Sequence, residues 1–133
     1  MKKEFIPYEQ ALALKELGFD EPCFAYYFTT NGENWEFAAK REFDKINETL
    51  VIGDKFILSA PLYQQAFRWF REKHGLYSYI ETVFVVGAAS PIKYDYVILE
   101  NNEEEVFYTN MPYHSHEEAE LACLNKLIEI VKQ

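Results

Sequence analysis

Three histidines are the side chains of this sequence best suited to hold a metal ion or to move a proton. His114 and His116 stand two residues apart and are followed at once by two glutamates, while His74 lies far earlier in the chain. Imidazoles and carboxylates are ordinary zinc ligands. The same stretch also fits the start of a helix, with Ser115 as the cap and a glutamate three residues later. We favour the helix start and predict no metal site.

The two cysteines, Cys23 and Cys123, are the candidate nucleophiles. They lie in the apolar runs PCFAYY and LACLNKL, and neither sits in a strained glycine-rich turn with a histidine nearby to act as base. This setting is typical of reduced core cysteines in a cytosolic protein, and a disulfide between the two is the less favoured alternative. The hydrophilic turn ENNEEE does not offer the desolvated carboxyl group that general acid catalysis needs. We predict no catalytic residue and no enzyme.

Negative charge is concentrated in the last third of the chain. The net charge is -9, yet the segment from Asp95 to Asn125 has no lysine or arginine. Such a field repels nucleic acid and anionic membranes and favours a basic partner. A solvated surface that serves only solubility is the alternative. The predicted partner-binding patch consists of Asp95, Glu100, Glu103, Glu104, Glu105, Glu117, Glu118 and Glu120.

Aromatic residues, which form 17% of the chain, suggest a second kind of binding site. Trp69 beside Arg68 and Arg71 could stack a base and pair with phosphate, but a helical wheel turns the tryptophan to the apolar side and both arginines away from it. No glycine-rich phosphate loop is present, so we predict no cofactor and no nucleic-acid partner. We predict a small-ligand pocket between two protomers that is lined by Tyr26, Trp35, Tyr79 and Tyr94.

The elements that must position these residues follow from periodicity and from glycine and proline positions. Helices are predicted over Pro7–Leu17, from Pro61 to Gly75 with Ser59 near the cap, and from Ser115 onward. Strands are predicted over 23–30, 35–39, 55–59, 77–86, 92–99 and 106–109, with a bridge near 51–52, a hairpin turn at Asn31-Gly32 and a turn at 100–104. The order αβββ-αβββ-α predicts an α+β fold in which an antiparallel sheet packs with three helices.

The second helix, in LYQQAFRWFREKHGL, has the clearest amphipathic pattern. Its polar side carries Gln64, Arg68, Arg71 and Glu72. The opposite arc, which we expect to be buried, contains Leu62, Tyr63, Ala66, Phe67, Trp69 and Phe70.

The start of this helix is echoed by PYEQALALKELGF near the N-terminus. Gln10 and Gln65 occupy matching positions at the edge of the apolar arcs, so each is predicted to brace a neighbouring strand through its amide, or else to line a small polar pocket. An internal duplication of the αβββ segment is one interpretation of the echo, and chance similarity is the other.

Length and hydropathy predict one soluble domain, residues 1–133. No apolar run approaches the roughly 18 residues that a membrane span needs, and no export signal is present, so we expect a cytoplasmic protein without a membrane partner. Several strands, such as residues 77–86, are apolar or aromatic on both faces, whereas an antiparallel sheet with one wet face alternates. Three helices cannot cover all of this surface, which favours a homodimer.

Three strings, FIPYEQALALKELGFDEP, APLYQQAFRWFREKHGL and EEAELACLNKLIEIVK, cover both ends and the middle of the chain. They resemble the recurrent segments of a family of small uncharacterised proteins of Bacteroidetes phages and prophages, and LYQQAFRWFREK is the most specific of the matching elements. The resemblance implies a viral accessory protein that works inside a bacterial cell, and it implies no activity or site residue. We therefore predict a phage-type accessory protein that binds a host protein through an acidic surface. The alternative is a protein that binds or sequesters a small, nucleotide-like ligand.

Overall fold

The computed structural model describes residues 2–43, 53, 56–100, 106–108 and 112–133, the backbone alone for 106–108. The described helices and strands confirm the α+β class, and the order is the predicted one except that residues 40–43, which were predicted to be irregular, are helical. The predicted bridge near 51–52 and residues 101–104 of the predicted turn at 100–104 lie outside the described residues, and Glu100 is the last residue of a strand. The elements in chain order are α1 (Tyr8–Glu16), β1 (Ala25–Phe28), β2 (Glu36–Ala39), β3 (Ile57–Ala60), α2 (Tyr63–His74), β4 (Leu76–Phe84), β5 (Ile92–Glu100), β6 (Val106–Tyr108) and α3 (His116–Lys132). A short 3-10 helix, Lys2–Glu4, precedes them.

The chain divides into two compact units, which we call unit 1 (Met1–Gln65) and unit 2 (Ala66–Gln133). Each contains a three-stranded antiparallel sheet, with strand order β2-β1-β3 in unit 1 and β4-β5-β6 in unit 2. The described strands therefore form two sheets where the sequence predicted one. The central strand is the first of three in unit 1 and the second of three in unit 2, so the pairing does not repeat as a duplicated unit would. The expectation of one domain stays a prediction.

Unit 1 packs its two sheet faces against different elements. On one face the Tyr27 ring meets Tyr8 of α1 edge-on, with ring centroids 5.8 Å apart, and the Tyr27 hydroxyl donates to the Ile6 carbonyl at 2.7 Å. On the other face Phe28 and Phe43 belong to a small buried cluster. Successive side chains of a strand point to opposite faces. Because both faces of this sheet are packed, β1 can be apolar at every position and still bury its side chains.

The loop between β1 and β2 is held by the side chain of Asn31. Its Oδ1 accepts hydrogen bonds from the backbone amides of Glu33 at 2.9 Å and Asn34 at 3.1 Å, and Gly32 has a positive φ of 81°. This is the Asx-turn chemistry for which asparagine followed by glycine is favoured. The predicted hairpin is confirmed, although its loop is longer than the two-residue turn the sequence suggested.

Unit 2 is a long hairpin packed on α3. The nine residues of β4 pair with the nine of β5, from Leu76 opposite Glu100 to Phe84 opposite Ile92. Ser115 caps α3, since its Oγ accepts from the amide of Glu118 at 3.1 Å. The predicted cap is therefore confirmed. The buried residues of α3 are Ala119, Cys123, Leu124, Leu127 and Ile128.

Helix α2 begins two residues later than predicted. Pro61 does not open the helix, because its carbonyl accepts from the Ile6 amide at 3.0 Å while Leu62 forms a bridge with Phe5. Ser59 lies in β3 opposite Tyr26, so it is not the cap. The predicted arc is confirmed: Tyr63, Ala66, Trp69 and Phe70 are buried, Leu62 and Phe67 are half-buried, and the polar side of Gln64, Arg68, Arg71 and Glu72 is exposed.

Gln65 makes a bracing contact, although with the segment before β1 and not with a strand as predicted. Its Nε2 donates to the Pro22 carbonyl at 2.9 Å, which ties α2 to the segment that enters β1. Replacing Gln65 with leucine should lower the free energy of unfolding by about 1 kcal/mol, because the hydrogen bond is lost.

Urea unfolding of Gln65→Leu measures this effect, with Gln64→Leu on the exposed side of the same helix as the control. The control should change stability by less than about 0.5 kcal/mol. Equal effects of the two substitutions would show that the Pro22 contact does not stabilise the fold.

Candidate interaction surface

The register of β4 and β5 defines two faces of the unit 2 hairpin. Residues directly opposite one another share a face, and neighbours along a strand alternate. Ser78 lies against Cys123 of α3, and the Tyr94 ring packs edge-on against His116 at 5.8 Å. We call this side, which carries Ser78, Tyr94, Tyr96 and Ile98, the inner face.

The opposite side of the hairpin exposes large apolar side chains. Tyr77 is 43% exposed and Tyr79 is 52% exposed, and Leu99, directly opposite Tyr77, is 37% exposed. We call this side, defined by these three residues, the outer face. Val97, opposite Tyr79 on the central strand, is buried between its neighbours. Two exposed tyrosines beside a buried valine are typical of a protein-binding surface and not of a sheet face that only meets water.

The free end of the same hairpin is apolar and carries no charge. The segment from Phe84 to Ile92 reads FVVGAASPI, and the Val85 amide donates to the Pro91 carbonyl at 2.7 Å to close it. Phe84 is 69% exposed and Val86 is 87% exposed. We call this segment the hairpin tip. The sequence predicted strands up to 86 and from 92 with a turn between them, and it assigned no binding role to the segment, although its uninterrupted lack of charge was a visible signal.

Only some members of the predicted acidic patch are exposed at the surface. Asp95 lies on β5 at 7% exposure, and its Oδ1 accepts from the Tyr96 amide at 2.8 Å, so it offers no free carboxylate to a partner. The physical reason is local, because this hydrogen bond turns the carboxylate back onto its own strand and away from solvent. Glu100 and Glu120 are half-buried, and Glu117 and Glu118 are exposed. The other three predicted members, Glu103, Glu104 and Glu105, lie outside the described residues.

Glu120 is the member of the patch with a structural role. His116 Nδ1 lies 3.2 Å from Glu120 Oε1, one helical turn away, and the Glu120 side chain is 19% exposed. Burial raises the pKa of the Glu120 carboxyl, while the charge of His116 and its hydrogen bond lower it by less. This carboxylate pairs within α3, so the exposed charge of the helix start is that of Glu117 and Glu118.

The histidines contact different neighbours and do not form a metal-binding group. His114 Nδ1 lies 2.7 Å from Lys93 Nζ, so a cation already stands where a metal ion would sit. The His74 ring contacts Trp69, with centroids 4.9 Å apart. In the part of the chain that the structure describes, no group of three or more His, Cys, Asp or Glu could hold a metal ion.

The four predicted ligand aromatics do not meet within one unit. In unit 1, Tyr26 packs on Phe43 at 4.6 Å and Trp35 on Tyr8 at 5.0 Å. In unit 2, Tyr79 stands on the outer face and Tyr94 on the inner face. Their shared pocket between two protomers stays a prediction.

Among the described residues of unit 1, two cavities can be compared with the predicted pocket. The larger, of about 650 Å³, is an open depression along β2, and among the residues that line it are Trp35, Lys2 and Glu42. The smaller, of about 290 Å³, lies between α1 and β3, with Ala11 and Leu58 among its lining residues. Only Trp35 of the four predicted aromatics lines either cavity.

Burial moves the titrating groups of the core away from neutral pH. It raises the pKa of the Cys23 thiol to about 11, the Cys123 thiol to about 12 and the Tyr96 hydroxyl to about 12. The hydroxyls of Ser59 and Ser78 lower the two thiol values by less. Catalytic groups are tuned toward the working pH, whereas these groups are tuned away from it.

The two thiols should therefore be inert in the folded protein and should make it sensitive to alkali. Each folded pKa lies above the ordinary value of 9.0, so the stability the thiol contributes is complete below pH 9 and declines as the pH rises toward 11 and 12. Ellman's reagent at pH 8 should label Cys23 and Cys123 only as fast as the protein unfolds.

The control for this prediction is Cys123→Ala, in which the alkaline loss of stability should be smaller. Urea unfolding at neutral pH and at about pH 10 measures it. Immediate labelling of both thiols in the native protein would contradict the assignment.

Comparison with known proteins finds no protein-family model, no curated protein and no solved structure that matches this chain. Among the described residues, no helix is long and apolar enough to cross a membrane.

Proposed function

We propose that the protein acts by binding another protein and not by catalysis. The observation that carries the proposal is the outer face of unit 2, where Tyr77, Tyr79 and Leu99 stand out from a sheet whose inner face is packed by α3. Tyrosine is enriched where proteins bind one another, since its large ring loses little conformational entropy on contact. The hairpin tip, with Phe84 and Val86 exposed, extends this surface.

The acidic charge selects the partner in this proposal. Glu117 and Glu118 lie at the start of α3, which packs on the inner face, so they do not belong to the same contact as Tyr77 and Tyr79. A net charge of -9 acts over a Debye length of about 10 Å, and it accelerates the encounter with a basic partner. Charge then sets the rate of association, and the apolar outer face sets the lifetime of the complex.

The proposed partner is a protein of a bacterial host cell. The resemblance of three segments to phage and prophage proteins supports an accessory protein that works in the host cytoplasm. The raised pKa values of the buried thiols and of Tyr96 support binding over catalysis, because burial takes these three groups further from the pH at which they could give up a proton.

The experiment is affinity capture from a Bacteroidetes lysate with the purified full chain, washed at low and at high salt. We expect a basic protein whose association slows about tenfold in high salt while dissociation changes little. Indifference of the association rate to salt would contradict the role of charge. Complete loss of the complex in high salt would contradict the apolar contact.

A small-ligand function is the second candidate, and one observation favours it. Trp35 lines the 650 Å³ depression together with Lys2, which places an aromatic ring and an ammonium group at one site. A nucleotide could stack on the ring and pair its phosphate with the lysine. Titration with adenosine and guanosine triphosphates should then quench tryptophan fluorescence in the wild type but not in Lys2→Glu, and absence of quenching would remove this candidate.

A further inference from the structure

β4 is an edge strand of the unit 2 sheet. Its nine residues pair with β5 on one side, and no described strand or isolated bridge pairs with its other edge. The chain is described on both sides of the strand, since α2 ends just before it and the hairpin tip follows it. An unpaired edge presents a row of backbone donors and acceptors that another strand can bind.

The hydrogen bonds of the hairpin show which residues of β4 turn these groups outward. The Val85 amide donates to the Pro91 carbonyl at 2.7 Å, so the odd-numbered residues of β4 bond with β5. On the far side of β5 the Tyr94 amide donates to the Tyr113 carbonyl at 2.9 Å, as this alternation requires. The even-numbered residues of β4 therefore turn outward. No described residue bonds the outward backbone groups of Leu76, Ser78, Ile80, Thr82 and Phe84.

This edge lacks the features that keep a natural edge strand from pairing with another copy. Such strands are usually short, or they carry proline, lysine or a bulge. β4 is longer than the common five to six residues, its register with β5 is uninterrupted, and its sequence LYSYIETVF has one charged residue, Glu81. Glu81, Thr82 and Phe84 are exposed. The strand is therefore built to be paired.

We propose that two copies of the chain pair through β4, antiparallel about a two-fold axis at Ile80, the middle residue of the strand. Leu76 of one copy then lies opposite Phe84 of the other, and Ser78 lies opposite Thr82, so each outward amide meets a carbonyl. The two sheets join into one of six strands, and only the three-residue β6 stays at its edges. Two-fold symmetry closes the assembly at two copies.

Charge favours a second copy in this register. An axis at Glu81 would place two carboxylates directly opposite one another, which destabilises a sheet. With the axis at Ile80, Glu81 of one copy lies opposite Tyr79 of the other. A chain of net charge -9 can thus meet its own copy here without opposed like charges. A peptide of another protein would need no such match of length and charge about one residue.

The helices leave room for this pairing. Both α3 helices lie on the same side of the joined sheet, and each packs mainly over β5. The two β5 strands are three strand spacings apart, about 14 Å, whereas helices in contact lie about 8 to 10 Å apart. The gap between the helices lies over the inner side of β4, where Phe84 is exposed and Ile80 is half-buried.

The pairing is independent of the proposed host partner. It uses the backbone edge of β4 and leaves the outer face of each copy open, with the tyrosines of the two copies on the same side of the joined sheet. A protein that dimerises but captures no host protein would contradict the proposed function alone.

Cysteine cross-linking locates the axis. Oxidation with copper phenanthroline should give a covalent dimer of Ile80→Cys, because the Cα atoms at the axis are about 5.5 Å apart. Thr82→Cys is the matched control on the same side of the strand. Its two copies are offset by about 14 Å along the strands, so it should give no covalent dimer. The native Cys23 and Cys123 are buried and should not react.

Removal of one outward amide tests the pairing itself. The wild type should sediment as a dimer, and Thr82→Pro should weaken the dimer at least about tenfold, because proline lacks the amide but is tolerated on a strand edge. Thr82→Val keeps the amide and should dimerise within about twofold of the wild type.

Three results would overturn the proposal: a wild type that stays monomeric at high concentration, equal dimerisation of Thr82→Pro and Thr82→Val, or a covalent dimer from Thr82→Cys in place of Ile80→Cys. Circular dichroism shows whether each variant is folded. The cross-linking pair decides the outcome if Thr82→Pro does not fold.

Discussion

Replacement of Phe70 with alanine should lower the free energy of unfolding by about 3 to 5 kcal/mol. Phe70 is the largest of the fully buried side chains, with an exposure of 0%. Removing its ring loses the transfer free energy of the apolar atoms and leaves a cavity that the surrounding close packing fills only in part. Folded proteins have total stabilities of only about 5 to 15 kcal/mol, so the loss is a large share of the whole.

The matched control for Phe70→Ala is Phe24→Ala. Phe24 is 69% exposed just before β1, so the same chemical change should cost less than about 1 kcal/mol. Chemical unfolding followed by circular dichroism measures both. Similar losses for the two variants would contradict the position of Phe70 in the core.

Replacement of both Tyr77 and Tyr79 with serine should weaken partner binding by at least about tenfold, and the fold should remain. Each tyrosine is about half exposed. The substitution therefore mainly removes surface that a partner would contact, and it removes few contacts with the core. A tyrosine at the centre of an interface contributes about 1 to 2 kcal/mol or more, and each 1.4 kcal/mol is tenfold in affinity. The dissociation rate of the captured complex is the quantity to measure.

The control for the tyrosine pair is Phe24→Ser, which removes an exposed aromatic ring from unit 1. It should leave the dissociation rate unchanged, and unfolding curves should show all three proteins folded. The predicted homodimer is tested in the same samples by light scattering. If the wild type and Phe24→Ser are dimers and the double tyrosine variant is a monomer, a second copy of the chain occupies the outer face.

Sequence was sufficient wherever the signal was local. Ser115 before a glutamate-rich turn predicted the cap of α3, and the spacing of Ala66, Trp69 and Phe70 predicted the buried side of α2. Both depend on contacts within one or two helical turns. Pro61 failed as a helix start because Ile6, distant in sequence, takes its carbonyl, and no local pattern reveals such a partner.

Pairing between distant strands was beyond the sequence for the same reason. The order β2-β1-β3 requires β3 to return past β2, and nothing in the apolar runs distinguishes it from a meander. The site shows the same limit. Asp95 counted as part of an acidic stretch, but its carboxylate is buried and bonded to the Tyr96 amide, whereas Tyr79 on the adjoining strand remains half exposed.

The central claim is that the outer face of unit 2 contacts a partner protein, and site-specific photo-crosslinking in living host cells tests it most directly. A photoreactive phenylalanine analogue at position 79 should give one discrete crosslinked product with a host protein. The same analogue at position 24, exposed on unit 1, should give none. Absence of a product at 79, or the same product from 24, would contradict the account.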